Sequence, residues 1–338
     1  METGHKHEHL TYENAKTPTW ITHPWVAEGQ HTIRFGSMII DQGNDWLQLS
    51  DWVQMVEGLG FDSYWASDHP FLYQDCWTTL TIAAQASSKL RLGTLVNCIS
   101  YRSPALLARL AADVDRLSNG RIILGLGIGD LPQEFELLGV PFLNTKARQQ
   151  ALEEAVQTIT SLWQSEDFTY QGTRLQTQQV SLPGGPVQQP HIPLLIAGGG
   201  EKITLRQVAR YADISNFGAH AVMGAAYQVD DVVRKYAVLR QHCEAENRPY
   251  DSVLRSYLTM PLILAETHAA LQAKLDGLPQ GYLKMFASSM IAGTPQEIIT
   301  SYQALASAGV QYFISSFFRH DQETLQLFAE HVMPEIKR

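Results

Sequence analysis

Short apolar runs alternate with amphipathic stretches along most of the chain. Apolar runs bounded by polar turns predict buried strands, and apolar residues at three- and four-residue spacing predict helices. The predicted strands are 32–40, 63–67, 90–97, 121–128, 192–197, 213–217, 253–264 and 310–316. The predicted helices are 46–59, 77–88, 104–117, 147–163, 201–211, 226–245, 295–308 and 323–332.

This rhythm predicts an α/β fold, a (β/α)8 TIM barrel with insertions. Eight strand–helix units in 338 residues fit a barrel of usual size, about 250 residues, with loop insertions. A doubly wound open sheet is the alternative, but it usually needs fewer units, and no G-x-G-x-x-G follows the first strand. We expect one domain over 31–338, with excursions at about 168–193 and 266–292, after a polar N-terminal extension over 1–30.

Composition narrows the class of protein. Hydrophobic residues make up 45% and charged residues 17%, as in a globular enzyme with a large core. No long apolar segment or signal peptide is evident, which predicts a soluble, cytoplasmic protein without a membrane partner. A net charge of −9 argues against nucleic acid. Cys76, Cys98 and Cys243 lack metal-ligand spacing, so no metal is expected and a small molecule is the predicted partner.

Three glycines directly after the fifth predicted strand are the most informative local feature. Gly198–Gly200 lie between an apolar run and the predicted helix, and Lys202 and Arg206 add positive charge. Glycines allow close approach of the backbone, and the first amides of a helix face an anion. We interpret this turn as a phosphate site; a tight turn without a ligand is the alternative.

Ionisable residues follow the second and fourth predicted strands. They are Asp68 and His69 after the second strand, and Asp130 and Glu134 after the fourth. In a barrel these strand ends meet at one mouth, where active sites lie. None of the four forms a nucleophile–base pair or a metal-ligand pattern. Acid–base groups beside a phosphate site indicate that a bound cofactor performs the difficult step.

Four motifs follow one another at these strand ends. They are Ser67-Asp68-His69-Pro70, Leu92-Gly93-Thr94-Leu95-Val96 with Tyr101-Arg102, Leu124-Gly125-Leu126-Gly127-Ile128-Gly129 with Glu134, and Ile196-Ala197-Gly198-Gly199-Gly200-Glu201-Lys202. In this order, from about residue 33 to the C-terminus, they resemble the luciferase-like, flavin- or deazaflavin-dependent oxidoreductases, and the similar branch depends on coenzyme F-420. Two departures are Pro70, where relatives often have an aromatic residue, and Asp130, where many have Trp or Glu.

The resemblance implies a bacterial-luciferase-like barrel and a set of cofactor contacts. The glycine turn would hold the cofactor phosphate. A non-proline cis peptide near Thr94–Leu95, or one bond later, would form a bulge behind the tricyclic ring. The implied cofactor-binding residues are Asp68, Thr94, Leu95, Val96, Gly127, Gly129, Ala197, Gly198, Gly199, Gly200, Glu201 and Lys202.

Alternatives stay open for each candidate catalytic residue. His69 is a proton donor or ring contact, or else a histidine packed at the barrel rim. Asp68 anchors the ring or caps the next helix or turn, and Asp130 is an acid or an N-cap. Glu134 faces the mouth or solvent. Arg319 clamps an anionic substrate or cofactor tail, or forms a surface salt bridge.

The resemblance implies hydride transfer between reduced F-420 and a small organic substrate, by an enzyme that is a homodimer. The first alternative is a two-component monooxygenase that uses reduced FMN and oxygen and needs a separate flavin reductase. The second alternative is a non-catalytic flavin-binding barrel.

Overall fold

The structure is a computed structural model. It describes residues 20–40, 45–164, 168–171, 176–180, 182–220 and 225–337, with the backbone alone for 168–171 and 176–180.

The barrel is built from parallel strands that follow the predicted apolar runs. Nine strands form one sheet in the order β3-β2-β1-β13-β10-β9-β8-β5-β4, and β3 also pairs with β5. That pairing sets Leu92 opposite Ile122 and closes the sheet. Because β4 continues β3 beyond a break, the barrel has eight staves, and the predicted fold is confirmed. The strands are β1 (Arg34–Ile39), β2 (Ser63–Ala66), β3 (Arg91–Thr94), β4 (Asn97–Cys98), β5 (Ile122–Gly127), β6 (Phe168–Gln171), β7 (Gln176–Val180), β8 (Leu194–Ala197), β9 (Ile214–Gly218), β10 (Leu254–Thr259), β11 (Leu262–Leu264), β12 (Ile291–Gly293) and β13 (Tyr312–Phe317).

The helices begin where the sequence supplies caps. Asp45 accepts from the amides of Leu47 and Gln48, and Thr294 with Glu297 forms a capping box. A π-helical turn, Phe328–Val332, joins the last two helices. The helices are α1 (Pro24–Gly29), α2 (Trp46–Gly58), α3 (Cys76–Ala86), α4 (Pro104–Leu117), α5 (Pro132–Leu137), α6 (Thr145–Gln164), α7 (Thr204–Tyr211), α8 (Val229–Ala245), α9 (His268–Asp276), α10 (Gln280–Phe286), α11 (Pro295–Ser307), α12 (Gln322–Leu327) and α13 (Met333–Lys337).

Two of the predicted strands are each divided in two. The run 253–264 divides into β10 and β11 at Pro261, which has no amide hydrogen for the sheet. The run 90–97 is interrupted between β3 and β4 by a bulge that enters the barrel mouth.

Alternate residues of the strands supply two separate apolar cores. Phe35, Phe217 and Phe313 point outward and pack against the helices. Trp65 and Ile314 belong to a second cluster that fills the barrel interior. The two-residue period of a strand produces this division.

Helix α1 closes the amino-terminal end of the barrel. Trp25 and Val26 are buried in the interior cluster, and the Arg34 guanidinium lies 4.0 Å from the centre of the Trp25 ring. The prediction of a polar extension over 1–30 is therefore wrong for residues 20–30, because two apolar residues in one helical turn leave no periodic pattern. Residues 1–19 lie outside the described part of the chain.

The predicted excursions carry small sheets of their own. Strands β6 and β7 form an antiparallel hairpin in the first. In the second, β12 pairs in parallel with β11, and α10 packs Tyr282 5.6 Å from the ring of Phe318, directly after β13. This insertion therefore borders the carboxyl-terminal mouth. Each described helix is too short or too polar to span a membrane.

Candidate active site

The bulge between β3 and β4 is held in place by Thr94 and by glycines of β5. The peptide bond Leu95–Val96 is cis, one bond beyond Thr94–Leu95. The Thr94 hydroxyl donates to the Gly125 carbonyl and accepts from the Gly125 amide, each at 2.9 Å. A side chain at Gly125 would overlap the Thr94 carbonyl, and one at Gly127 would lie 2.6 Å from Val96. Gly127 thus makes room for the bulge, in which Leu95 packs into the interior cluster and Val96 is half-buried.

Asp68 anchors this bulge from behind. Its carboxylate accepts from Arg102 at 2.7 Å, from the Asn97 side chain at 2.9 Å and from the Cys98 amide at 3.2 Å. Although burial opposes the charge of Arg102, the hydrogen bond and charge of Asp68 raise the pKa of that guanidinium above its usual range. Asp68 is 4% exposed, and Asp75, not Asp68, caps α3. The cap interpretation is therefore wrong, and the carboxylate is occupied in holding β4.

His69, Glu134 and Tyr101 form a hydrogen-bonded cluster at the same end. His69 Nδ1 lies 2.9 Å from Glu134 Oε2, and the Tyr101 hydroxyl donates to the same oxygen at 2.9 Å. The Glu134 side chain is 4% exposed, whereas that of His69 is 29% exposed. Glu134 Oε1 is buried and has no hydrogen-bond partner among the described residues. A carboxylate that accepts from Nδ1 fixes the imidazole and leaves Nε2 for a ligand.

Tyr101 remains a hydrogen-bond donor in this cluster. Burial raises the pKa of its hydroxyl, and the nearby Cys98 and Glu134 raise it further. A neutral phenol can only donate to the Glu134 carboxylate. Glu134 Oε2 therefore accepts hydrogen bonds from both Tyr101 and His69.

Asp130 does not cap the following helix. The N-cap of α5 is Leu131, and no side chain caps it. The cap interpretation is wrong because the helix begins two residues after Asp130, at Pro132. Within the described residues, no hydrogen bond or ion pair to the Asp130 carboxylate is found. Gly129 has φ +75°, and a side chain there would lie 2.6 Å from Cys98 Sγ, so this position also requires glycine.

His220 is a site residue that the sequence reasoning missed. It lies two residues beyond β9, in the inward register of Ile214 and Gly218. Its Nδ1 is buried without a hydrogen-bond partner in the described structure. Burial lowers its pKa, His69 lowers it further and Asp130 opposes this shift, so the ring is neutral near pH 7. Counting alternate positions from the middle of the strand would have found this residue.

The glycine turn lies where predicted, but its helix begins later. Helix α7 starts at Thr204 rather than Glu201, because residues 201–203 form a separate turn. Gly198 has φ +124° and donates its amide to the Asn216 carbonyl at 2.8 Å. A side chain at Gly200 would lie 2.9 Å from Thr204 Oγ1. The chain therefore needs glycine at both ends of this turn.

The polar side chains around the turn have different surroundings. Ala197 is half-buried at the end of β8, and Lys202 is exposed. The Glu201 carboxylate pairs with Arg234 of α8. The Glu201 side chain is therefore directed toward α8, whereas the positive charge of Lys202 is accessible to a ligand from solvent.

Arg319 lies apart from the His69–Glu134 cluster and from the glycine turn. It lines a cleft of about 330 Å³ beside α2, together with Trp52 and Met55. None of the residues that line this cleft belongs to the His69–Glu134 cluster or to the glycine turn.

A parallel eight-stranded barrel with a bulge in the third stave, an acid–base cluster and a glycine turn at one mouth defines a class of cofactor-dependent enzymes. Residues 30–285 match the family model of luciferase-like monooxygenases, and the chain belongs to this family. The family predicted from the sequence motifs is confirmed.

Curated relatives include deazaflavin and flavin enzymes. An F420-dependent glucose-6-phosphate dehydrogenase of Amycolatopsis mediterranei is 25% identical over 323 residues, 86% of this chain and 94% of that protein. An FMNH(2)-dependent dimethylsulfone monooxygenase of Pseudomonas putida is 27% identical over 264 residues, 70% of this chain and 71% of that protein. The coenzyme F420-dependent tetrahydromethanopterin reductase of Methanopyrus kandleri superposes with a TM-score of 0.75 at 19% identity, covering 90% of this chain and all of that chain, and supports the fold.

Proposed function

We propose that this protein transfers a hydride between reduced coenzyme F-420 and a small organic substrate. The observation that carries the proposal is the His69–Glu134–Tyr101 cluster, which supplies acid–base chemistry beside the bulge without a nucleophile. The alignment with an F420-dependent dehydrogenase over 86% of the chain favours the deazaflavin.

The residues at the mouth fit a flat ring with a phosphate-bearing tail. Val96, between β3 and β4, and Ala197, at the end of β8, are half-buried apolar groups, and β5 lies between their strands. A side chain at Gly198 or Gly200 would press against Thr204, so the turn keeps a bare backbone at these two positions, as close approach of a phosphate requires. Two buried polar atoms at the same end, Glu134 Oε1 and His220 Nδ1, lack protein partners in the described residues. We assign the ring to the bulge and the phosphate to the turn.

His69 is the proposed proton donor or acceptor for the substrate. When bound, reduced F-420 supplies a hydride from the carbon that replaces the central nitrogen of a flavin. Glu134 accepts from His69 Nδ1 and fixes the ring, so that Nε2 is left to carry the exchangeable proton. Asp130 is the second candidate acid, and Asp68 holds the bulge.

Anaerobic oxidation of reduced F-420 by a panel of enones, imines and carbonyl compounds tests this proposal. We expect at least one panel member to oxidise the cofactor without oxygen. Turnover only with reduced FMN and oxygen would contradict the proposal.

An FMN-dependent monooxygenase is the second candidate function. The relative from Pseudomonas putida, aligned over 70% of the chain, favours it. This function would require a separate flavin reductase and consume oxygen in step with substrate. The curated relatives named as a dehydrogenase and a monooxygenase argue against the third alternative, a non-catalytic flavin-binding barrel. The cytoplasmic location and the homodimer remain predictions, and sedimentation tests the second.

A further inference from the structure

We propose that Lys235 and His242 of α8 are positioning residues for the phosphate of the cofactor. They hold two carbonyl oxygens of the glycine turn and thereby aim the intervening amides at the ligand. This inference rests on the proposed function, because it assumes that the turn binds a phosphate.

Both residues contact the turn from one face of α8. They are seven positions apart, about two turns, so they lie on the same side of the helix. The Lys235 ammonium donates to the Gly199 carbonyl at 2.7 Å, and His242 Nε2 donates to the Glu201 carbonyl at 2.8 Å. Lys235 is only 5% exposed. Helix α8 therefore fixes the first and third residues of the segment 199–201.

Peptide geometry converts these contacts into an anion-binding arrangement. In a trans peptide, the carbonyl of one residue and the amide hydrogen of the next point in opposite directions. Since the Gly199 and Glu201 carbonyls point at α8, the amides of Gly200 and Lys202 point away from it. Two amides directed to one side form a concave site for an anion. The Gly198 amide is already used by Asn216.

Salt bridging alone does not account for the burial of Lys235. The Glu201 carboxylate is 3.7 Å from the Lys235 ammonium, and it also pairs with the exposed Arg234. Burial lowers the pKa of Lys235, although the charge of Glu201 opposes the shift. A buried ammonium is costly to desolvate, and its direct contact at 2.7 Å is with the backbone of the turn.

The neighbouring pair Lys235 and Arg234 allows a matched test. Each is changed to methionine, which removes one positive charge beside Glu201, but Lys235→Met alone removes the donor to the Gly199 carbonyl. Equilibrium binding of FMN and of riboflavin, which lacks the phosphate, is measured by flavin fluorescence quenching. We expect Lys235→Met to weaken the binding of FMN tenfold or more and the binding of riboflavin less than twofold. Arg234→Met should change the affinity for each ligand less than twofold.

Equal losses for both ligands in Lys235→Met, or equal losses of FMN affinity in the two variants, would overturn the inference. If Lys235→Met does not fold, the same binding measurements are made on His242→Ala. This variant should bind FMN severalfold more weakly and riboflavin as well as the wild type does. An unchanged ratio of the two affinities would reject the inference.

The inference and the proposed function fail in different ways. A wild-type protein that binds FMN and riboflavin equally well has no phosphate site at the turn, and the inference fails. A phosphate-selective loss in Lys235→Met, without any hydride transfer from F-420, supports the inference and rejects the proposed function.

Discussion

Two buried carboxylates at opposite ends of the barrel have different surroundings. Asp115, at the closed amino-terminal end, is fully buried and accepts hydrogen bonds on both oxygens, from the Val187 and Gln188 amides and the Gln188 side chain. Glu134, at the mouth, is 3% exposed and accepts on one oxygen. The other oxygen has no partner within the described residues. Asp115 therefore ties loops together, and Glu134 retains a free oxygen for a ligand.

Among cationic groups, the closed end is likewise well satisfied. The Arg121 guanidinium, at the closed end, donates five hydrogen bonds to the surrounding loops. His220, at the mouth, keeps a buried Nδ1 without a partner in the described structure. Buried polar atoms without a partner among the described residues occur at both ends, since His23 Nε2 at the closed end is one as well. The contrast between the two ends therefore rests on the carboxylates Asp115 and Glu134. The closed end stabilises the barrel, as in other barrels of this type.

The largest expected effect is on stability at the closed end. Asp115→Ala leaves the Val187 amide, the buried Gln188 amide and the Gln188 side chain without their acceptor, which should lower the free energy of unfolding by about 4 kcal/mol. Urea denaturation measures this loss, with turnover per folded molecule unchanged. Glu134→Gln is the matched control and should cost less than about 1 kcal/mol. Equal destabilisation by both variants would remove the contrast between the two ends.

The closed end should also lose stability in acid through His23. Burial lowers the pKa of His23 to about 4, and the charges of Arg91 and His191 add to this. His23 is therefore protonated at a higher pH in the unfolded chain than in the folded protein. The free energy of unfolding should fall by up to about 3 kcal/mol as pH falls from 6.5 to about 4. His23→Asn keeps an acceptor for the Trp25 amide and should flatten this part of the pH–stability curve. An unchanged slope would contradict the prediction.

At the mouth, substitution of His69 should affect chemistry more than binding. His69→Ala removes the proposed proton donor, and turnover should fall a hundredfold or more, about 2.7 kcal/mol. Affinity for F-420 should stay within a few-fold. His268, exposed on α9, serves as the control, because His268→Ala should leave turnover unchanged. Full activity of His69→Ala would transfer the role to Asp130 or Glu134.

A smaller effect is expected at the glycine turn. Gly199→Val places a β-branched side chain where the phosphate approaches, and cofactor affinity should fall at least tenfold, about 1.4 kcal/mol. Because Gly199 is buried, thermal unfolding of the apo-protein is measured alongside, so that lost folding is not counted as lost affinity. Gly58→Val is the control, because a side chain at Gly58 meets open space. Unchanged affinity in Gly199→Val would identify the turn as purely structural.

The barrel, and the meeting of His69 and Glu134 at one end of it, could be predicted because periodicity and strand ends are local properties. The glycine run at Gly125 and Gly127 was recognised as a motif, but its physical reason, contact with the bulge, is visible only in the structure. The same holds for Asp68, whose partners are as many as 34 residues away in the sequence.

Other features have no local signal. The role of α1 depends on Trp25 meeting Arg34 across the barrel floor, and no pattern within one short helix encodes this. Lys235 looks like a solvent-exposed helical lysine in the sequence, and its burial arises from the packing of α8 against the glycine turn.

Equilibrium binding of F-420 and of FMN to the purified protein, followed by fluorescence quenching, tests the central claim most directly. We predict that F-420 binds at least tenfold tighter than FMN, a difference of about 1.4 kcal/mol. The Gly199→Val variant should weaken the binding of both, since both carry a phosphate. Tighter binding of FMN, together with oxygen-dependent turnover of reduced FMN, would contradict the account and identify the protein as a monooxygenase.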